Sequence, residues 1–295
     1  MIGSAALLTF FVWLGLSGNY TLADLAAGPH AAPTTALLAL FVGFGVKVPV
    51  WPFFSWLLKA HVEASVEFSI LLSGFIVKVG VYGLYRFLSL LGASAVLQVY
   101  LACCGLGIFF ATCRLFAQRD LKRIVALTTV IEMNWLGVCL CLGGLVFESI
   151  AFFLVVAHSI TTSLEFLIVE CLSRRYGTRD LTQLSGVFNA LPLLGVVAFS
   201  TTLITIGFPG TPLFLAKFLF FSALLPVSFW AFALLGLLLA LVVPLFFMRA
   251  WVPVWFGLSA NFGPRSLVDL TSSELGLFAL LLLAAVALAW APGLL

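Results

Sequence analysis

The feature that most restricts the fold of this chain is a succession of apolar runs, each about as long as a bilayer's hydrocarbon core is thick. A membrane helix needs roughly 20 mainly apolar residues. Such runs lie near 1–17, 35–58, 66–91, 95–117, 121–144, 148–173, 188–224, 227–249 and 273–293. They predict an all-α, polytopic membrane helix bundle of about nine spans, a single integral membrane domain over 1–295. Composition agrees, with 63% of residues apolar and only 8% charged, whereas a soluble domain is about one half apolar. Lipids are the expected surroundings. A net charge of +3 is too small a basic excess to suggest nucleic acid as a partner. Cys103, Cys104, Cys113, Cys139, Cys141 and Cys171 all sit in or at the ends of apolar runs. With no Cys-x-x-Cys and no His at ligand spacing, they read as small core residues rather than a disulfide or zinc framework.

The run 188–224 is too long for one straight crossing, and Gly207-Phe208-Pro209-Gly210-Thr211-Pro212 interrupts it with helix breakers. It is one broken span or two short ones. Basic residues arbitrate, because Lys and Arg accumulate in loops on the side of synthesis. If the run crosses once, Lys59, Arg114, Arg119, Lys122, Arg123, Arg174, Arg175, Arg179, Arg249 and Arg265 share one side, and Arg86 alone lies opposite. Two crossings would weaken that bias to eight against three. A single broken span is therefore preferred, with the N-terminus on the basic side and the C-terminus opposite. The first run lacks a basic leader and a small-residue cleavage pattern, so it reads as a first helix rather than a removable signal. Asn19-Tyr20-Thr21 matches a glycosylation acceptor on the non-basic side, a match common by chance. Residues 26–33 form a plain Gly/Pro/Ala connector.

Three basic residues, Lys47, Lys78 and Lys217, fall inside apolar runs. A charge near the bilayer centre costs about 2.5–3.5 kcal/mol on insertion scales, so such residues usually face a protein interior or a water-filled path. Burial also disfavours an ammonium, which makes a buried lysine able to exchange a proton near neutral pH. The bland alternative is snorkelling of the amine to the interface. That suits Lys59, but Lys47 and Lys78 each lie about 12 residues into a run, beyond a side chain's reach. Lys217 is open to either reading. Lys47 precedes Pro49 and Pro52, and Lys217 follows the Pro209–Pro212 break. Broken membrane helices are tolerated where they line a cavity or lie buried in protein, so a polar path at mid-depth is expected.

Glu132 and His158 fall at compatible depths in the fifth and sixth runs. Thr128, Thr129 and Asn134 flank Glu132, while Ser159, Thr161, Thr162 and Ser163 follow His158. Their hydroxyls suit the ordering of water. Glu165, seven residues after His158, shares its helix face, and Glu170 pairs with Arg174 one turn on.

Three segments carry a resemblance. The first is Lys47-Val48-Pro49-Val50-Trp51-Pro52, then Trp56-Leu57-Leu58-Lys59-Ala60-His61-Val62-Glu63-Ala64, then Val77-Lys78-Val79-Gly80 through Arg86. The second runs from Asp120-Leu121-Lys122-Arg123 through Thr128-Thr129-Val130 to Met133-Asn134, and on to His158-Ser159-Ile160-Thr161-Thr162-Ser163-Leu164. The third is Phe208-Pro209-Gly210-Thr211-Pro212 with Phe214, Lys217 and Phe218. Over about residues 5–250 the chain resembles the fourth membrane subunit of respiratory NADH:ubiquinone oxidoreductase (complex I), related to multisubunit sodium/proton antiporter subunits.

The resemblance implies an antiporter-like, proton-translocating subunit of the H+-translocating NADH:ubiquinone reductase. It would carry no redox chemistry of its own, with flavin, iron–sulfur clusters and quinone in other subunits. It implies a relay of Lys47, Lys78, Glu132, His158 and Lys217, supported by Glu63, His61, Glu165, Thr128, Thr129 and Thr162. It also implies other membrane subunits of that complex as partners, in the inner mitochondrial membrane or, alternatively, a bacterial inner membrane. Four positions depart from the family: Glu132 stands where His is usual, Lys217 where subunit four usually has Glu, and Ser65 and Phe68 replace the usual proline and glycine after Ala64. The resemblance begins at what would be the sixth helix, so about five helices, including one bearing a carboxylate partner for Lys47, are expected on a separate polypeptide. A cation/proton antiporter subunit and a non-pumping scaffold are the alternatives. No nucleophile with a base, metal cluster or phosphate loop suggests an independent enzyme.

Overall fold

The computed structural model describes residues 1–17, 33–91, 95–257 and 268–290. Asn19-Tyr20-Thr21, nearly all of the 26–33 connector and Arg265 lie outside the described residues. The described chain is helical, with one isolated antiparallel bridge between Asp120 and Asp180.

In chain order the helices are α1 (Ile2–Leu16), α2 (Thr34–Lys47), α3 (Ser55–Glu63), and α4, built from Val66–Leu71, a π-helical turn Leu72–Ile76 and Val77–Leu91. Then come α5 (Ala95–Leu115), α6 (Leu121–Leu142), α7 (Gly144–Tyr176), α8 (Pro192–Ile206) and α9 (Pro212–Leu224). The last are α10 (Phe229–Phe256), which also widens to a π turn at Gly236–Val242, and α11 (Ser272–Ala289). Six are long and apolar enough to cross a membrane: α4, α5, α6, α7, α10 and α11. The four shorter apolar helices α1, α2, α8 and α9 include the two predicted breaks.

The break in 35–58 is longer than expected, and its second limb α3 extends to Glu63. Its backbone groups find partners: Val50 N–H donates to the Gly45 carbonyl at 2.8 Å and Trp56 Nε1 to the Val46 carbonyl at 2.9 Å. From α6, Asn134 Nδ2 donates to the Pro49 carbonyl at 3.2 Å. Irregular backbone at membrane depth is tolerated on these terms. The second break spans Gly207–Thr211. Gly207, at φ 76°, ends α8 in the left-handed conformation, and the Thr211 side chain accepts from Phe214 N–H to start α9 with Pro212 in its first turn.

α6 is the central helix, with 89% of its most apolar window enclosed, against 17% for α11. Glycines let α5 close on it. A Cβ at Gly107 would lie 2.1 Å from Asn134 Oδ1, and one at Gly137 would lie 2.6 Å from Cys104 Sγ. Cys103, Cys104, Cys139 and Cys171 are buried as expected, whereas Cys113 is exposed. Large apolar side chains such as Phe75, Leu145 and Trp230 cover the outside, as a lipid surround allows.

The basic loops share one end of the bundle. Leu121 N–H donates to the Arg179 carbonyl and Leu181 N–H to the Arg119 carbonyl, joining the segments before α6 and after α7. Arg119, Ser185 and Arg249 line one cavity. Arg249 therefore lies with Arg119 at that end. Arg175 pairs with Glu274 at 2.7 Å, bringing the start of α11 to the same end, where Thr271 and Glu274 form a capping box. Asp269 caps α8 there, accepting from Leu193 N–H at 2.8 Å and Leu194 N–H at 3.1 Å. Arg86 lines a cavity with Gly143 and Glu148, next to the far end of α6. Lys122 corrects its assignment to a loop: it is buried in the first turn of α6, and its amine donates to the Ala64 carbonyl, just past the end of α3, at 2.8 Å.

Candidate functional site

Lys78, Glu132, His158, Glu165 and Lys217 are all buried, and α4, α6, α7 and α9 bring them to one region of the bundle. The π turn of α4 sets the geometry around Lys78. Its amine folds back onto the carbonyl of Ser73 within that turn and approaches His158 Nδ1 to 2.9 Å. π turns are frequent at functional sites because they free backbone groups from the regular ladder. An ammonium donates to Nδ1 only if the imidazole is neutral with its hydrogen on Nε2. A protonated imidazole can meet only a neutral amine. The contact therefore excludes both groups being charged at once, and a proton can pass between them along it.

Beside this pair runs a row of hydroxyls. Ser73 Oγ lies 2.8 Å from Thr129 Oγ1 and 3.0 Å from Thr162 Oγ1. Thr129 donates to the Val125 carbonyl at 3.1 Å, so Ser73 donates to Thr129 and Thr162 to Ser73, giving the row one direction. Ser159 Oγ lies 2.7 Å from both the Gly74 carbonyl of the π turn and the Val155 carbonyl of its own helix, and its one hydrogen serves the two. Thr161 and Ser163 donate within their own helix, to the carbonyls of Ala157 and Ser159.

Glu165 accepts from Thr205 Oγ1 at 2.8 Å through Oε1, while Thr128 Oγ1, whose hydrogen goes to the Val125 carbonyl at 2.8 Å, stands 3.4 Å from Oε2. Glu132 Oε2 is buried without a hydrogen-bond partner. Glu132, His158, Thr162, Glu165 and Thr205 line one internal cavity. Its volume of ≈ 10 Å³ is about the room for one water molecule.

Lys217 is enclosed by the second break rather than snorkelling, its amine donating to the Ile206 carbonyl at 3.1 Å. The C-terminus of α8 favours a cation there. Gly207 makes the approach possible: a Cβ there would meet Lys217 Cδ and Nζ at 3.2 Å. Gly207→Ala is accordingly expected to cost about 1–2 kcal/mol for the left-handed backbone and to displace the amine, read as a lowered thermal midpoint.

Lys47 departs from expectation. It ends α2 with an exposed side chain, so the described residues do not enclose its amine. Its Cβ stands against α4, where a Cβ at Gly80 would lie 3.1 Å away. Glu63 is likewise exposed. His61 is fully buried, stacked on Phe166 with ring centroids 4.8 Å apart, and neither ring nitrogen has a partner. Glu170 pairs with Arg174 as expected. Sequence reasoning missed Ser73 and Thr205. Ser73 follows Ser69 by four residues in an apolar run, a pairing on one helix face that could have been noticed. Thr201 and Thr205, one turn apart in a broken span, could have been noticed.

Residues 1–242 match the family described as NADH:quinone oxidoreductase/Mrp antiporter, transmembrane. The chain belongs to that family. Among relatives, NADH-ubiquinone oxidoreductase chain 4 of Paramecium tetraurelia is 34% identical over 241 residues, 80% of this chain and 50% of that protein. NADH-quinone oxidoreductase subunit M of Rhodobacter capsulatus is 28% identical over 251 residues, 83% of this chain and 48% of that protein. The chain thus spans about half the length of these curated relatives. Respiratory complex I from Thermus thermophilus contains a similar chain, with a TM-score of 0.85 at 24% identity, covering 99% of this chain and 62% of that one. The Mrp complex of a Dietzia species contains another, at 0.84 and 21%, covering 99% and 64%. These likenesses establish the antiporter-like membrane fold of the family.

Proposed function

We propose that this chain is a proton-translocating membrane-arm subunit of an NADH:quinone oxidoreductase, in the inner mitochondrial membrane or a bacterial inner membrane. Protons would move from Lys47 to Lys78, then by His158 or Glu132 to Lys217, driven by quinone reduction in other subunits. The observation that carries this reading is the buried contact of Lys78 Nζ with His158 Nδ1 at 2.9 Å. A buried, directly bonded base pair has little structural purpose, since an apolar pair of the same shape would cost less. The hydroxyls of Ser73, Thr129 and Thr162 supply rotatable donors beside it. With 34–63 and 192–224 each read as one broken passage, the chain is one domain of nine spans.

The Lys47 side chain is exposed at the end of α2. In this reading, helices matching the part of the relatives' length that this chain does not span cover it and supply its carboxylate. A structure of the assembled complex with no helix from outside residues 1–295 touching Lys47 would remove that element. Lys47→Ala is expected to lower proton pumping by the reconstituted complex about tenfold or more with assembly intact. Unchanged pumping counts against the relay. Two observations keep other readings in view. The likeness to an Mrp complex chain favours a cation/proton antiporter subunit, which sodium-dependent transport without quinone chemistry would select. The tightness of the cavity beside Glu132 favours a non-pumping scaffold, which normal turnover of all relay variants would select.

A further inference from the structure

A second internal cavity lies against the one already described. It is lined by Glu165, Thr201, Thr202 and Thr205 together with apolar groups, and it shares Glu165 and Thr205 with the inner cavity. Four helices give its direction. On α6 it is lined by Ile124 and Val125, a turn or more before Thr128 and Glu132 of the inner cavity. On α7 it is lined by Ile168 and Val169, beyond Glu165 and away from His158. On α8 it reaches back to Ala198 from Thr205, and on α10 it reaches forward to Trp255 from Val243.

Each displacement points to the same end of the bundle. α6 starts and α7 finishes beside the backbone pairing of Arg119 with Leu181 and Leu121 with Arg179. Arg175 at the end of α7 donates to the Asp269 carbonyl at 3.2 Å, and Asp269 in turn caps the start of α8. Ser185, in that same region, donates to the Pro253 carbonyl near the end of α10 at 3.4 Å. The two cavities therefore stack along the bundle axis, and the outer one lies toward the basic loops.

We propose that Glu165 is the proton-transfer group joining the central relay to the basic end of the bundle through this outer cavity. The inference rests on the proton-translocating reading above and names one route by which protons reach it. A water in the outer cavity, whose ≈ 20 Å³ holds about one molecule, takes a proton arriving from the basic end as it gives one to the Glu165 carboxylate, and so remains a neutral water. The resulting acid passes a proton to Glu132 or His158 across the inner cavity, and the carboxylate is regenerated. One proton enters and one leaves. Thr205 holds Oε1 by donating to it and can turn its hydroxyl to the Thr201 carbonyl at 3.1 Å as the charge changes, while Thr128 Oγ1 stands ready to accept from a protonated Oε2. Glu165 is suited to this because it is the ionisable group common to both linings.

The test compares Glu165→Gln, Glu165→Asp, Thr205→Val and the reference Lys78→Met in the assembled complex, reading quinone-reductase turnover and protons pumped into vesicles. Glu165→Gln is expected to lower coupled turnover about tenfold or more, with Glu165→Asp recovering part of the loss. Thr205→Val should fall between Glu165→Gln and the parent. A merely structural role would be met by the isosteric Gln at least as well as by Asp. If Lys78→Met is impaired while Glu165→Gln and Thr205→Val turn over normally, this inference is overturned and the relay stands. If Lys78→Met also pumps normally, the functional reading falls and this inference with it. Should Glu165→Gln not assemble, Thr205→Val decides, and its normal turnover overturns the proposal.

Discussion

Replacing Lys78 by Met is expected to lower proton pumping by about 10²-fold, the lower end of what a positioned proton donor or acceptor contributes, while the complex still assembles. Met keeps most of the side-chain volume and removes the amine that meets His158 Nδ1 at 2.9 Å and caps the Ser73 carbonyl. Relief of the buried ammonium offsets part of the about 1–3 kcal/mol lost when His158 Nδ1 and the Ser73 carbonyl lose their partner, and the thermal midpoint reads that loss apart from pumping. Function and folding are thereby separated at one position. Lys78→Arg sharpens the comparison, since a guanidinium stays protonated and cannot release its proton. A scaffold that needs only a buried cation would tolerate Arg better than Met; a relay would fail with both. The measurement is vesicle acidification per quinone reduced, normalised to assembled complex. Pumping by Lys78→Met at the parental rate would mean that this amine carries no protons.

The second large effect is on packing. Gly107→Val should destabilise the chain by about 2–5 kcal/mol, combining overpacking with a buried backbone acceptor left unpaired. A Cβ at Gly107 would fall 2.1 Å from Asn134 Oδ1, and Asn134 is the α6 residue that donates to the Pro49 carbonyl at 3.2 Å. The substitution would push Asn134 away and release the break between α2 and α3, far from the altered residue in sequence. Gly105, two residues earlier on α5, has open space around its Cβ position, so Gly105→Ala is the control and should be silent. The assay is the thermal midpoint of the detergent-solubilised complex. Equal midpoints for Gly107→Val and the parent would show that the α5–α6 seam does not hold the break.

Much of the architecture was legible because the bilayer imposes few choices. Apolar runs must become helices, and the breaks at Pro49 and Pro209 were visible as Pro and Gly inside those runs. The buried ionisable groups were legible too, because Lys78, Glu132, His158 and Lys217 stand out against an apolar background. What did not carry over was enclosure. Lys47 and Lys78 lie at equal depth in their runs, yet α7 and the π turn enclose Lys78 while the described residues leave Lys47 exposed. Lys122 looked like a loop residue and proved to be buried against the end of α3.

By itself, then, the sequence determined that this is a membrane-embedded helical chain with broken helices and buried charges, because the cost of polar groups in hydrocarbon is written into local composition. Only the tertiary structure decided which of those charges meet, that Ser73 aligns Thr129 and Thr162, and that Glu165 stands between two cavities. The physical reason is that hydrogen bonds act over about 3 Å, whereas the partners here are drawn together from helices as much as 89 residues apart. Periodicity and composition report a residue's surroundings only along its own helix, and which neighbour fills the facing groove is fixed by packing.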